Sequence, residues 1–378
     1  MQGDEMDPLS ELQKCMFEVE EASDFKGYWF RISDILSIIV CGMLCGLENV
    51  SEIYDWAKAA PVRTFLHEQL SIEGMPSRAQ FYNIFGRVNA EQFGKSFIKW
   101  MQYVFQGGVA GKTVAIDGKT VRSTDKLTPD GSALHIASAI VSELGLVIGS
   151  CECGTKMGEI TAFRELIALL DVAGAVVVAD ALHCNRNSAK AVVDAGADYL
   201  LCVKDNQRNL LEAIEFYVHE EKLEEAVTQE KNGGRIEKRT AYVSRDIGWI
   251  EGREEWAKLA CIGAIHTQFE KDGHKSSNWH YYVSSATLSA EDLLRHARLE
   301  WGVEAMHWLL DVHFAEDKTR VWDMEVQKSL NTLRKIALNL AKQFKQKLGL
   351  KVPISGILRR NLFDPNHLIA FLSCFAED

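Results

Sequence analysis

Three carboxylates in this chain stand in three different settings. Asp117 lies in VAIDGKTVR, an apolar stretch that reads as a strand ending in a glycine turn. Asp180 closes GAVVVAD, a run with no polar residue before the acid. Glu304 lies in EWGVEAMHWLLD, which has helical spacing. The first two are 63 residues apart and the third follows 124 residues later. An acid at a strand end is exposed at the sheet rim, where a ligand can reach it. Two such acids and a third on a helix are how a ribonuclease-H-like fold builds a two-metal site. Two divalent ions held about 4 Å apart activate an oxygen for in-line attack on phosphate. The chemistry to expect is cutting and rejoining of nucleic acid.

Each acid also has a plainer reading. Asp before Gly is a common turn former. Asp180 could cap the turn after its strand, although a charge buried there is costly unless paired or metal-bound. Glu300, Glu304, His307 and Asp311 recur at helical intervals and share one face. Spacing alone does not choose among Glu300, Glu304 and Asp311. No competing chemistry is encoded by a phosphate-binding GxxxxGK[ST] loop, a GxSxG elbow or an HExxH helix.

The chain has 378 residues, 47% of them apolar and 25% charged, with a net charge of −11. That is an ordinary soluble composition of roughly two to three structural units. Nine cysteines without a CxxC pair fit reduced thiols in a cytoplasm. The apolar run at 35–47 is too short to span a bilayer, so no membrane association is expected. The charge is uneven. Residues 1–60 hold 12 acids and 4 bases, whereas residues 318–360 hold 11 bases and 2 acids. A local excess of bases steers nucleic acid better than total charge does; its alternative is a solvated helix face.

Helical spacing dominates residues 1–110, with Ser77 and Asn89 as N-caps. Strands are expected at Thr113–Asp117, Leu134–Val141, Leu146–Cys151, Ala175–Asp180 and Tyr199–Lys204, with helices between the later ones. This predicts an α/β catalytic unit beginning at 111–227. A β-rich insertion follows at 228–288, with strands at Arg239–Ser244, Trp256–Ile265 and Trp279–Ser284. Helices carrying the third acid occupy 289–350, and 351–378 form a tail.

The longer motifs resemble a known family. IDGKTVRS at 116–123, MGEITAFRELIALLDVAGAVVVADALHCN at 157–185, GADYLLCVKDNQ at 196–207 and GGRIEKR at 233–239 resemble the H-repeat-associated, ISAs-one-type transposases of bacterial insertion sequences. So do YYVSSATLSAEDLLRHARLEWGVEAMHWLLDVHFAED at 281–317 and the N-terminal DILSIIVCGMLCGLENVSEIYDWA. The likeness runs from about residue 25 to 350. It implies a DDE transposase with a ribonuclease-H-like mixed sheet, flanking helices, a β-rich insertion and an all-helical N-terminal domain that binds DNA.

The resemblance further implies that Asp117, Asp180 and Glu304 are the catalytic acids and the ligands of two Mg²⁺ or Mn²⁺ ions. It selects Glu304 from the helix acids. Lys119, Arg122, Lys204, Arg235, Arg239, Lys318 and Arg320 are candidate DNA contacts. The partners would be double-stranded DNA, at the element's terminal inverted repeats and at the target, and further copies of the chain in a homodimer or larger assembly. The location would be cytoplasmic, on the nucleoid when bound. Glu300-Trp301 and Ala305 stand where the family usually has His-Trp and Asn. Two other readings stay open: a DNA-binding protein of the same fold that no longer cuts, and a metal-dependent nuclease that cuts without joining.

Overall fold

The computed structural model describes residues 8–22, 29–125, 131, 133–153, 158–232, 234–321 and 323–374. Nine strands form one sheet: β1 Thr113–Val121, β2 Leu134–Val141, β3 Leu146–Glu152, β4 Val176–Ala179, β5 Asp198–Val203, β6 Glu224–Asn232, β7 Arg235–Ser244, β8 Cys261–Lys271 and β9 His274–Ser284. Their order is β3-β2-β1-β4-β5-β9-β8-β7-β6. β1, β2 and β3 form an antiparallel meander, β4 and β5 run parallel to β1, and β9 to β6 continue antiparallel. All of β4, VVVA, is buried, as expected of a central strand covered on both faces.

The helices are α1 Pro8–Ala22, α2 Ile32–Leu44, α3 Val50–Ala57, α4 Ala60–Leu70, α5 Arg78–Phe85 and α6 Ala90–Val104 before the sheet. Within and after it come α7 Glu159–Leu169, α8 Arg186–Asp194, α9 Arg208–Glu220, α10 Ala290–Leu299, α11 Gly302–Phe314, α12 Met324–Lys347, α13 Ile354–Phe363 and α14 Pro365–Ser373. Ser77 and Asn89 do cap α5 and α6: each side chain accepts a backbone N–H three residues on. The N-terminal helices share one continuous apolar core with the sheet. No helix among the described residues is long and apolar enough to cross a membrane, and none of the nine cysteines is joined in a disulfide.

Several elements differ from their sequence reading. β1 does not end at Asp117; it runs on to Val121, and Gly118 is a strand residue. The segment expected as an insertion has a fourth strand, β6, and all four strands extend the same sheet. The strand expected from Trp256 starts at Cys261, after a short 3-10 turn at Arg253–Glu255. The helix bearing the third acid breaks at 300–301, between α10 and α11. The stretch expected as a tail contains α13 and α14, and α13 packs against α2 and α12.

Part of the basic segment is turned inward rather than to solvent: Arg334, Lys335 and Lys342 of α12, whereas Lys318, Arg320, Lys347, Lys351, Arg359 and Arg360 are exposed. α12 packs against α2, α6 and β3. Arg334 and Lys335 are only 0% and 1% exposed. Lys342 reaches back to the Gly145 carbonyl, and Lys328 pairs with Glu152 at 2.7 Å and Glu325 at 2.9 Å. Asn339 bonds both backbone groups of Val147, at 2.7 and 2.9 Å, so α12 also satisfies part of the β3 edge.

Burial pushes the Lys335 amine down to about 8. At pH 7 it is charged in both states and the folded chain carries the desolvation penalty. Lys335→Met should therefore raise the unfolding free energy at pH 7 by about 1–3 kcal/mol. From about pH 8 up to the ordinary value of 10.5 the folded chain sheds this proton while the unfolded chain keeps it. Wild-type stability then rises toward that of the variant, so the gap should close across this window. Urea unfolding at pH 7, 8.5 and 10 reads both effects; a less stable variant, or a gap independent of pH, would contradict this account.

Candidate active site

β1 and β4 pair in register from Thr113–Val176 to Ile116–Ala179. The next residues on the two strands are Asp117 and Asp180. The strands part there, so the two acids emerge side by side where the parallel ladder stops. Asp180 is solvent-facing rather than buried, its side chain 53% exposed, and it accepts the Leu182 N–H at 3.0 Å. The loop after it is pinned by the segment following β5. Asn206 Nδ2 donates to the Ala181 carbonyl at 2.7 Å and Gln207 Nε2 to that of Cys184 at 3.0 Å.

Glu304 sits in the first turn of α11, which packs on β1 and β2. A cleft of about 410 Å³ is lined by Asp117, Asp180 and Glu304 together, and also by Glu300. Asp311 is not in this cleft: it faces Lys119 at 2.6 Å. The structure thus removes Asp311 from the three helix acids that spacing left open and brings both Glu300 and Glu304 to the site. α10 is tied to the start of β1 by His296 Nδ1, 2.8 Å from Thr113 Oγ1.

The cleft gathers several acids, and two of them, Asp117 and Glu300, resist ionisation. Burial first, then the charges of Asp180, Glu159 and Glu304, push Asp117 up to about 6 against the pull of the Gly118 N–H. Burial and Asp180 push Glu300 up to about 7 despite Lys204. His307 Nε2 lies 3.7 Å from Asp117, but burial and then Lys119 push this imidazole down to about 3, so it stays neutral and gives no ion pair.

Beneath the acids lies a network that sequence reading missed. Glu159, 5% exposed, meets His135 Nε2 at 2.8 Å and His183 Nε2 at 3.4 Å. His135 Nδ1 is 2.9 Å from Thr120 Oγ1, and His183 stacks on Phe163. Burial raises Glu159, but the two histidines outweigh it and hold the carboxyl down at about 2. Gly118 serves this network. A Cβ there would lie 2.6 Å from both Glu159 Cδ and His135 Nε2, so the strand carries glycine where these side chains cross it. The signal was legible: Glu159 heads the stripe continued by Ala162, Phe163, Leu166 and Ile167, so a charge begins the buried face of α7.

The candidate DNA contacts separate. Lys204 and Arg239 line the acid cleft. Arg239 is paired with Glu237 and lies 5.8 Å from the Trp301 ring centroid. Arg235 stacks on Phe269 at 4.0 Å, at the cleft wall. Lys119 is enclosed by acids. Arg122, with its side chain 85% exposed, shares the end of β1 with the turn carrying the exposed Lys318 and Arg320, since its N–H donates to Asp317 at 3.1 Å.

The donor set suits hard divalent cations, because every candidate ligand is a carboxylate oxygen. Like charges crowded in one cleft also repel phosphate until cations neutralise them. A second acidic group, Asp311, Glu316 and Asp317, has its oxygens within 4.8 Å of one another. It already surrounds a cation, since Lys119 Nζ lies 2.6, 2.7 and 3.7 Å from the three.

Comparison with known proteins places the chain among transposases. Residues 110–340 match the family described as "Transposase DDE domain", and residues 14–101 match the one described as "DDE_Tnp_1-associated". The chain is 31% identical over 366 residues to "Putative transposase YncI" of Escherichia coli O157:H7, covering 92% of this chain and 88% of that protein. It is 29% identical over 382 residues to "H repeat-associated putative transposase YhhI" of Escherichia coli K12, covering 96% and 98%. A piggyBac transposase synaptic complex with hairpin DNA aligns at a TM-score of 0.48 and 12% identity, over 98% of this chain and 80% of that one. The family match and the two Escherichia coli relatives support a transposase function, and a family of this kind implies dependence on divalent metal. The chain belongs to the transposase DDE domain family.

Proposed function

We propose that this protein is a DDE transposase that cleaves DNA at the ends of its own insertion sequence and joins the freed 3′-hydroxyls to target DNA. The observation that carries the reading is that Asp117, Asp180 and Glu304, from β1, the end of β4 and α11, line one cleft. The strand order β3-β2-β1-β4-β5, with only β2 antiparallel to its neighbours, supports a ribonuclease-H-like catalytic unit. β6 to β9 would then be the insertion, and α1 to α6 the N-terminal DNA-binding unit.

Asp117, Asp180 and Glu304 would hold two Mg²⁺ or Mn²⁺ ions, which supply activation of the attacking oxygen and stabilisation of the leaving oxygen. Asp117 and Asp180, adjacent at the fork between β1 and β4, and Glu304, on the facing helix, would be the ligands of these ions. The Leu182 N–H and the braced 181–184 loop orient Asp180, and the Glu159 network fixes the strand beneath Asp117. Lys204 and Arg239 on the cleft wall would contact the DNA backbone nearest the reaction. Arg122, Lys318 and Arg320 would extend that contact outward, and two copies or more would bring the two element ends together.

Asp117→Asn, Asp180→Asn and Glu304→Gln should each lower Mn²⁺-dependent cleavage of element-end DNA by at least about 10²-fold. Double variants should lose little more than single ones, because the three act as a unit. Gel assays with labelled ends and a target plasmid read cleavage and joining separately. Any single variant near wild-type cleavage overturns that residue's role. Wild-type ends cut but never joined indicate a nuclease, and ends bound but uncut indicate a DNA-binding protein.

The DNA path makes a second expectation. Replacing Arg122, Lys318 and Arg320 together by Gln should weaken binding to all sequences alike. It should flatten the log–log salt dependence by about two to three units, at roughly 0.9 per phosphate contact. Lys342→Gln should leave that slope unchanged, because its amine faces Gly145. An unchanged slope in the triple variant would move the DNA off this patch.

A further inference from the structure

Lys119 has the wrong surroundings for a phosphate contact. It lies two residues beyond Asp117 on β1, its side chain is 16% exposed, and its amine faces three carboxylates. Asp311 comes from α11, and Glu316 and Asp317 from the turn that follows it. Glu316 is 1% exposed and has its other oxygen held by Asn331 Nδ2 of α12 at 2.5 Å.

The turn itself is fastened on every side. Ala315, buried in a left-handed conformation with φ of 50°, closes α11. Arg334 Nε donates to the Phe314 carbonyl at 2.9 Å. Thr319 Oγ1 lies 2.9 Å from the Ala315 carbonyl and 3.0 Å from that of Glu48 in the N-terminal unit. Ser123 Oγ donates to the Glu316 carbonyl at 3.3 Å, and the Arg122 N–H to Asp317 at 3.1 Å. α11 is a short rod with Glu304 in its first turn and this fastening at its last, about 15 Å away. Its contact face carries Val303, Met306 and Leu310. Those apolar contacts fix the distance of the rod from the sheet, but being non-directional they do not fix its slide or tilt along β1.

We infer that Lys119 is a positioning residue: bound by Asp311, Glu316 and Asp317, it locks α11 to β1 and so sets Glu304 opposite Asp117. The same strand then delivers one metal ligand directly and orients another through the clamp. The inference rests on the proposed two-metal site, and its test separates the two. Partners that orient metal ligands typically cost 10–100-fold in metal affinity when removed.

The measurement is calorimetric titration of Mn²⁺ into the DNA-free full chain, for wild type, Lys119→Met, Lys119→Arg, Glu316→Gln and Asp117→Asn. Binding at the site is the part that Asp117→Asn removes. A Lys119→Met/Asp117→Asn double variant reports any Mn²⁺ taken up by the vacated acids, and that part is subtracted. Lys119→Met should bind Mn²⁺ at least about tenfold more weakly. Lys119→Arg should restore most of the loss, and element-end DNA binding in Ca²⁺ should keep its salt slope. If Lys119→Met does not fold, as read by thermal unfolding, Glu316→Gln serves instead, since it keeps the shape and removes the counter-charge; it should show the same loss at smaller size. Wild-type Mn²⁺ affinity in the folded Lys119 or Glu316 variant overturns the positioning role. A salt slope reduced by about one unit with metal affinity intact would make Lys119 a phosphate contact. If Asp117→Asn binds Mn²⁺ like wild type, the two-metal reading itself fails.

Discussion

The structure around this cleft is governed by mutual repulsion among carboxylates. Asp117, Asp180, Glu300 and Glu304 share one cleft, and Asp117 and Glu300 are pushed up first by burial and then by the charges of their neighbours. Such a cluster persists only if the surrounding fold fixes each acid independently. Asp117 is held by the β1 backbone, Asp180 by the Leu182 N–H and the braced loop after β4, and Glu304 by a helix pinned at its far end. A fifth acid, Glu159, lies beneath the strand, where two histidines satisfy its charge. The site is electrostatically unfinished without cations, whereas Glu159 beneath it is already paired with two histidines.

The same logic explains α12. A helix packed against the N-terminal helices and the sheet should be apolar all round, yet it buries Arg334 and Lys335. Both face the acids at the end of α11: Glu316 opposes their desolvation most strongly, and Asp311 and Asp317 add to the effect on Arg334. Charges on β1, α11 and α12 therefore face one another in one layer behind the cleft, though burial outweighs the pairing at Arg334 and Lys335. That layer joins the N-terminal unit, through Thr319 and Glu48, to the strand that carries Asp117.

Much of this was legible in the sequence. The run VVVA marked a strand buried on both faces. The caps Ser77 and Asn89 marked helix starts, and the acids at 117, 180 and 304 marked the cleft. What one-dimensional patterning could not show was layering. Arg334, Lys335 and Lys342 read as part of a solvated or DNA-binding stripe because nothing local reveals that α12 packs against α2, α6 and β3. Gly118 read as a turn because the side chains that exclude a Cβ there come from β2 and α7, 17 and 41 residues away. Glu300 and Glu304 stayed indistinguishable because the break at 300–301 brings both to the cleft, whereas Asp311 was diverted by Lys119, a partner 192 residues earlier.

The most direct measurement is anomalous diffraction from crystals of the full chain soaked in Mn²⁺. The account predicts density between Asp117 and Asp180, with oxygens at about 2.1–2.2 Å and Glu304 completing one shell. Lys119 should remain seated among Asp311, Glu316 and Asp317. Manganese found only in that second trio with Lys119 displaced, or a shell completed by Glu300 while Glu304 points to solvent, would contradict it.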